Sequence, residues 1–244
     1  MTKSLYNTLY LPILLVGLLA CAKKDDIVDP VAGGGNTTTL TGNTEATDAQ
    51  SNQYTVGFDQ ASSNNQNPYV IKKDGQGNQL WKVTYENTGV DGRAVLVTVD
   101  ANNVPWVVFT VDGGSNDAGY ITKKQINADA FSGVYMNSYG SGGGPKASVI
   151  AQLDPATGNI VKGSFMTARL TSGKTNTLNI TKIGFNNGNF AFEISSAAWP
   201  PGKGSSYVRF PDITDDNRID GAFKIYYEIK TDLSEIVVAT LLTQ

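Results

Sequence analysis

Histidine is missing from this chain, and cysteine occurs once, at position 21. Those two scarcities remove whole classes of chemistry. Without histidine there is no Ser-His-Asp or Cys-His nucleophilic catalysis, and with one thiol there is no disulfide within the chain. Zinc, haem and iron–sulfur sites built on histidine or on several cysteines go as well. Charge is also scarce: 17% of residues are Asp, Glu, Lys or Arg, and the formal net charge is −3. No basic stripe is present to neutralise phosphates, which argues against a nucleic-acid partner.

Long hydrophobic runs are absent too. The longest, Leu9 to Ala20, is shorter than the ~20 apolar residues that span a bilayer as a helix. Lys3 precedes it and no acid does. A positive start, a short apolar core and a small residue at the end are the marks of a secretory signal. Leu18-Leu19-Ala20-Cys21 closes the run. This tetrapeptide resembles the lipobox of bacterial lipoproteins. The resemblance implies cleavage before Cys21, diacylglycerol on its thiol, and a fatty acyl chain such as palmitate on the new amine. Two or more chains make a lasting anchor where one binds only marginally. Lys23-Lys24-Asp25-Asp26 is similar to the charged tract that follows the cysteine in surface lipoproteins of the Bacteroidetes type. Ala22, in place of aspartate, implies the outer membrane by resemblance to enteric lipoproteins. The expected address is therefore lipid-anchored at the outer membrane, periplasmic or surface-exposed.

What is abundant is Gly, Asn, Ser and Thr. Residues 1–20 are expected to be a signal peptide, 21–53 a flexible lipidated tether and 54–244 one all-β domain. The tether reading rests on Gly33-Gly34-Gly35 and the Thr- and Asn-rich stretch after it, with no apolar periodicity. Beyond residue 54, period-two alternation places strands at 54–58, 68–73, 79–85, 93–99, 104–110, 119–124, 133–139, 147–153, 159–167, 177–184, 189–196, 206–210, 222–230 and 235–242. Between them stand Asp74 to Asn78, Asp100 to Asn103, Asp154 to Asn159 and Asn186 to Asn189. In these breaks Gly and Asn tolerate positive φ and Asp or Asn bonds its own backbone, so hairpins follow one another as an antiparallel meander.

Tyr69 to Asp74 followed by Leu80 to Tyr85 resembles the outer strand pair of a bacterial β-propeller blade. Asp91 to Asp100 followed by Val104 to Val108 is similar to the inner pair of the next blade. Gly119 to Lys123 and Ala147 to Asp154 resemble strands that begin outer pairs. Thr177 to Phe192 resembles an inner pair and Phe223 to Leu242 an outer one. The resemblance implies propeller-like blades, although about fourteen strands fall short of the four blades of a closed ring. A two-layer β-sandwich is the alternative.

Three features invite a functional reading. Trp81 and Trp106 lie inside strand patterns and are expected in the core, whereas Trp199 opens the loop Trp199-Pro200-Pro201-Gly202-Lys203-Gly204-Ser205. Trp199, with Tyr207 and Arg209 close in sequence, is the candidate ligand-binding group. Asp212, Asp216 and Asp220 supply oxygens at spacings a calcium loop uses, but Phe223 stands where the closing glutamate belongs, and a solvated Asp-rich loop is the plainer reading. Ser138 to Lys146 is glycine-rich but leads into a strand, not a phosphate-binding helix. Glu86, Asp91, Glu193 and Glu228 are nominal acids for a glycan hydrolase, which needs a carboxylate pair about 5–10 Å apart. The sequence thus predicts no resident cofactor beyond lipid on Cys21, no catalytic set, and a non-catalytic β-domain that binds or organises a protein partner at the envelope. A glycan-binding module is the alternative, and a carboxylate-dependent hydrolase the remaining one.

Overall fold

A computed structural model describes residues 38–63, 65–85, 91–112, 127, 129–142 and 146–243. The described part is all-β. Fourteen strands occur in order: β1 Glu45–Thr47, β2 Gln53–Gln60, β3 Gln66–Lys73, β4 Gln79–Thr84, β5 Asp91–Val99, β6 Pro105–Asp112, β7 Lys146–Leu153, β8 Ile160–Met166, β9 Ala168–Arg169, β10 Thr175–Asn176, β11 Leu178–Asn186, β12 Asn189–Ser196, β13 Phe223–Ile229 and β14 Ile236–Leu241. They form three four-stranded antiparallel sheets, β1-β2-β3-β4, β5-β6-β7-β8 and β11-β12-β13-β14, plus the pair β10-β9. Within each large sheet the strands lie side by side in chain order; most are joined by short reversals, while long connections separate β6 from β7 and β12 from β13. The sheets pack as in a sandwich, and among the described residues none closes into a barrel.

The turns explain the meander. Asp48, Asp74 and Asp100 each accept, on Oδ1, the backbone N–H two and four residues on. Three residues past each aspartate the chain turns through positive φ, at Ser51, Gly77 and Asn103. In two of these turns the asparagine four residues on also donates its amide to Oδ2, Asn52 to Asp48 and Asn78 to Asp74. Short side chains that bond their own backbone make this reversal local and cheap.

Layering follows from burial. In the β1–β4 sheet, β3 alternates between buried and half-exposed, the mark of a sheet with one face in water. In the β5–β8 sheet, Pro105 to Phe109 and Ala147 to Ala151 are buried without alternation, so both faces are covered. The first sheet covers one face: Tyr85 meets Phe109 edge-on at 5.0 Å and its hydroxyl donates to the Gly158 carbonyl. The third sheet covers the other: Trp106 stacks on Phe190 at 4.9 Å, with Phe185 edge-on at 5.7 Å.

The free edge of the central sheet is covered as well. Gly163 N–H donates to Ala130, Phe165 N–H to Met136, and Asn127 N–H to Ile160. Residues 133–139, expected as a strand, are therefore an irregular cover strip. Their apolar Tyr135 and Met136 are buried because they close this edge, while Tyr135 N–H turns away to Leu233. The expected strand at 206–210 is reduced to a single bridge, Pro201 with Arg209. That at 119–124 lies outside the described residues.

The folded part takes in residues earlier than 54. Thr41 pairs with Ile183 on the edge of β11, Thr38 N–H donates to Phe185, Asn43 accepts from Val97, and β1 pairs with β2. These residues are polar and aperiodic, and what holds them is backbone pairing, not an apolar face. The segment 38–47 thus links all three large sheets.

Candidate functional site

A small irregular sheet forms beside the third large one. β9 pairs with β10 on one side and, through Arg169 and Trp199, with the Trp199 loop on the other. That loop pairs onward: Gly202 N–H donates to Val208 at 2.6 Å and Phe210 N–H to Pro200 at 2.9 Å. Arg169 and Trp199 are direct partners, as are Pro201 and Arg209. Cross-strand partners share a face, and Tyr207 stands two residues before Arg209, so all of these project to one side.

On that side rings and guanidinium groups alternate. The Arg209 guanidinium carbon lies 3.5 Å from the centre of the Trp199 ring, and that of Arg169 lies 4.1 Å from the Tyr207 ring. Trp199 tilts against the buried ring of Phe223 at 5.4 Å, and Phe223 carries Arg218 at 4.0 Å. The rings are pinned by their polar atoms. Tyr207 donates its hydroxyl to the Trp199 carbonyl at 2.8 Å, and the Trp199 indole N–H donates to Thr171 Oγ1 at 3.1 Å. Burial holds the Tyr207 hydroxyl above its ordinary pKa, against the opposing pull of Arg169 and Arg209.

The three arginines differ in what balances them. Arg218 is paired with Asp215 at 2.8 Å and donates to the Ala197 and Gly221 carbonyls. Arg209 donates to the Ile213 carbonyl at 3.0 Å. Among the described residues neither Arg209 nor Arg169 has a carboxylate partner. Two exposed apolar residues flank them in sequence, Leu170 beside Arg169 and Val208 beside Arg209.

Trp199, Tyr207 and Arg209 are thus brought together. One face of Trp199 is already occupied by Arg209, so a sugar ring stacking there would have to displace it. Trp106 is fully buried, and half-buried Trp81 packs against the core with its N–H on the Pro155 carbonyl at 3.2 Å. Arg169 was not legible as a site residue: it lies thirty positions before Trp199, in a strand of two residues, and only the bridge joins them. Cys21 lies outside the described residues.

Asp212, Asp216 and Asp220 are exposed and serve turns. Asp212 and Asp220 hold positive φ, and Asp216 lies in the single 3-10 turn Asp215–Asn217. Among the described residues no three acids gather where they would hold a metal ion. Gly140 and Gly142 turn through positive φ, with the Ser141 carbonyl accepting from Thr175 N–H. Of the nominal acids, Glu193 is paired with Lys182 at 2.9 Å. Glu228 is buried and accepts from Asn186, Asn189 and the Tyr226 hydroxyl at 2.8–2.9 Å. Glu86 and the side chain of Asp91 lie outside the described residues.

Comparison with known proteins adds no relative: no family model matches the chain, and no curated protein is similar to it.

Proposed function

We propose that this chain is a lipid-anchored bacterial envelope protein whose non-catalytic β-domain binds a protein partner through the face carrying Arg169, Trp199, Tyr207 and Arg209. The anchor rests on the sequence Leu18 to Cys21. The binding face rests on one observation: aromatic rings and guanidinium groups, two of the latter without a carboxylate among the described residues, gather on a half-exposed ledge with exposed Leu170 next to Arg169. Trp, Tyr and Arg are the residues that carry most binding energy at protein interfaces. Exposed apolar side chains beside them add area that association removes from water.

The test places a photo-crosslinking residue at Val208 or Leu170 in intact cells, with Leu80 on the opposite part of the chain as control. A single defined adduct from the first two positions and none from the third is expected. Adducts of equal yield at all three would refute the site. For the anchor, Cys21→Ser is expected to leave the precursor unacylated and release the protein from the membrane fraction; unchanged retention refutes it.

A further inference from the structure

We infer that Arg169 and Arg209 are a carboxylate-binding pair, and that what they take is an acidic peptide segment of the partner. This deepens the reading of the domain as a partner-binding module and rests on it. Among the described residues Arg169 and Arg209 have no carboxylate partner; several lysines also lack one, but these two guanidinium groups stand over neighbouring rings of one ledge. Arg169 is the cross-strand partner of Trp199, whose ring carries Arg209, so the two positive groups stand on one side of the same ledge. Like charges brought together in a partly buried place repel, and an anion between them turns that repulsion into attraction.

The stacking fixes what kind of anion fits. A guanidinium held over a ring, at 3.5 Å for Arg209 and 4.1 Å for Arg169, keeps a planar fork of donors that matches a carboxylate two bonds at a time. Among the described residues the Arg169 side chain has no hydrogen-bond partner, and that of Arg209 donates one bond, to the Ile213 carbonyl. Trp199 and Tyr207 are then positioning residues that hold the guanidinium planes.

Two observations favour peptide over acidic glycan. Arg209 covers the Trp199 face on which a sugar would stack. Leu170, exposed next to Arg169, offers apolar contact, which a peptide with acidic and apolar residues uses and a polyuronate does not. The protein as a whole is acidic, at −3, so general charge attraction does not draw such a segment to it.

The experiment titrates the full acylated protein in detergent with fluorescent poly-L-glutamate, with polygalacturonate and with neutral dextran. Poly-L-glutamate is expected to bind with an affinity that falls as salt rises. Arg169→Gln with Arg209→Gln is expected to weaken it by about tenfold or more, and Lys73→Gln to leave it unchanged. Arg209→Lys, which keeps charge and loses the fork, is expected to fall between. Thermal unfolding of each variant shows that the fold is intact. Binding of polygalacturonate but not polyglutamate overturns the peptide in favour of an acidic glycan. Absence of binding by the unaltered protein, or equal loss with Lys73→Gln, overturns the pair itself. If Val208 adducts persist in the double glutamine variant, the carboxylate inference fails and the partner-binding reading stands. If glutamate binding is lost in that variant while no adduct ever forms at Val208, the reverse holds.

Discussion

Trp106 and Trp199 are the same side chain put to opposite uses. Trp106 sits at the centre of the middle sheet, fully buried, parallel to Phe190 within 17° and with its N–H near Asp100 at 3.3 Å. Trp199 sits on the small irregular sheet, half-exposed, tilted against the Phe223 ring and with the Arg209 cation over it. The first ring is held from both sides by hydrocarbon whose only role is to exclude water. The second is held by a group that carries charge and unused donors. A ring that backs an arginine orients something else; a ring that backs a ring is the end of the matter.

That contrast is open to breaking, and the largest effect is expected at the core. Trp106→Ala should cost about 3–5 kcal/mol, read as a lowered urea midpoint, because neither neighbouring sheet can close the hole. Gly163→Ala should cost about 1–3 kcal/mol, since a Cβ there would stand 2.6 Å from the Phe131 ring, which seals the edge strip onto β8. Trp199→Ala should cost less stability, about 1–2 kcal/mol, yet abolish Val208 adducts; a stability loss as large as that of Trp106→Ala with adducts retained would erase the distinction.

Acid comes next. Asp74 is held below its ordinary range by the side chain and backbone of Asn78, and Asp232 by Ser234. For Asp48, partial burial pushes upward but is outweighed by Asn52, Gln50 and Lys72. A depressed folded pKa means that the unfolded chain binds protons more readily. Their contribution is full above about pH 4 and lost as pH falls through the depressed values, so the urea midpoint should decline below pH 4 and stay flat from 5 to 7. Asp74→Asn should flatten part of that decline. The smallest effect is local: Ser51→Asn, at a φ of 66°, should raise stability by on the order of 0.5 kcal/mol in the same titration.

Alternation and turn chemistry make the large sheets legible in the sequence. β3 to β8 and β11 to β14 carry β-branched or aromatic residues, and Asp, Asn and Gly in the breaks, as at Asp74 to Asn78 and Asn186 to Asn189, mark many of their ends. The misreadings have one cause. Val134 to Tyr139 is as apolar as a strand because it is buried, but its backbone meets β8 only at intervals. β1, β9 and β10 are two or three residues long, too short for a period, and exist because a neighbour supplies their bonds. At the ledge, Trp199, Tyr207 and Arg209 were visible because one loop carries all three. Arg169 was not, since proximity made by a bridge leaves no trace in spacing.

The strap at Thr38 to Thr41 sets the order in which the molecule can be completed. Thr38 Oγ1 accepts from the N–H of Phe185, a partner 147 positions later in the chain. During synthesis the first-made part of the domain must wait for β11, so this seam closes only after the chain has emerged through Phe185. The same seam is where tension would enter. A pull on the amino-terminal end is borne first by a few backbone bonds to β11, loaded before any hydrophobic layer is disturbed. The grip on β11 acts as a fuse ahead of the core.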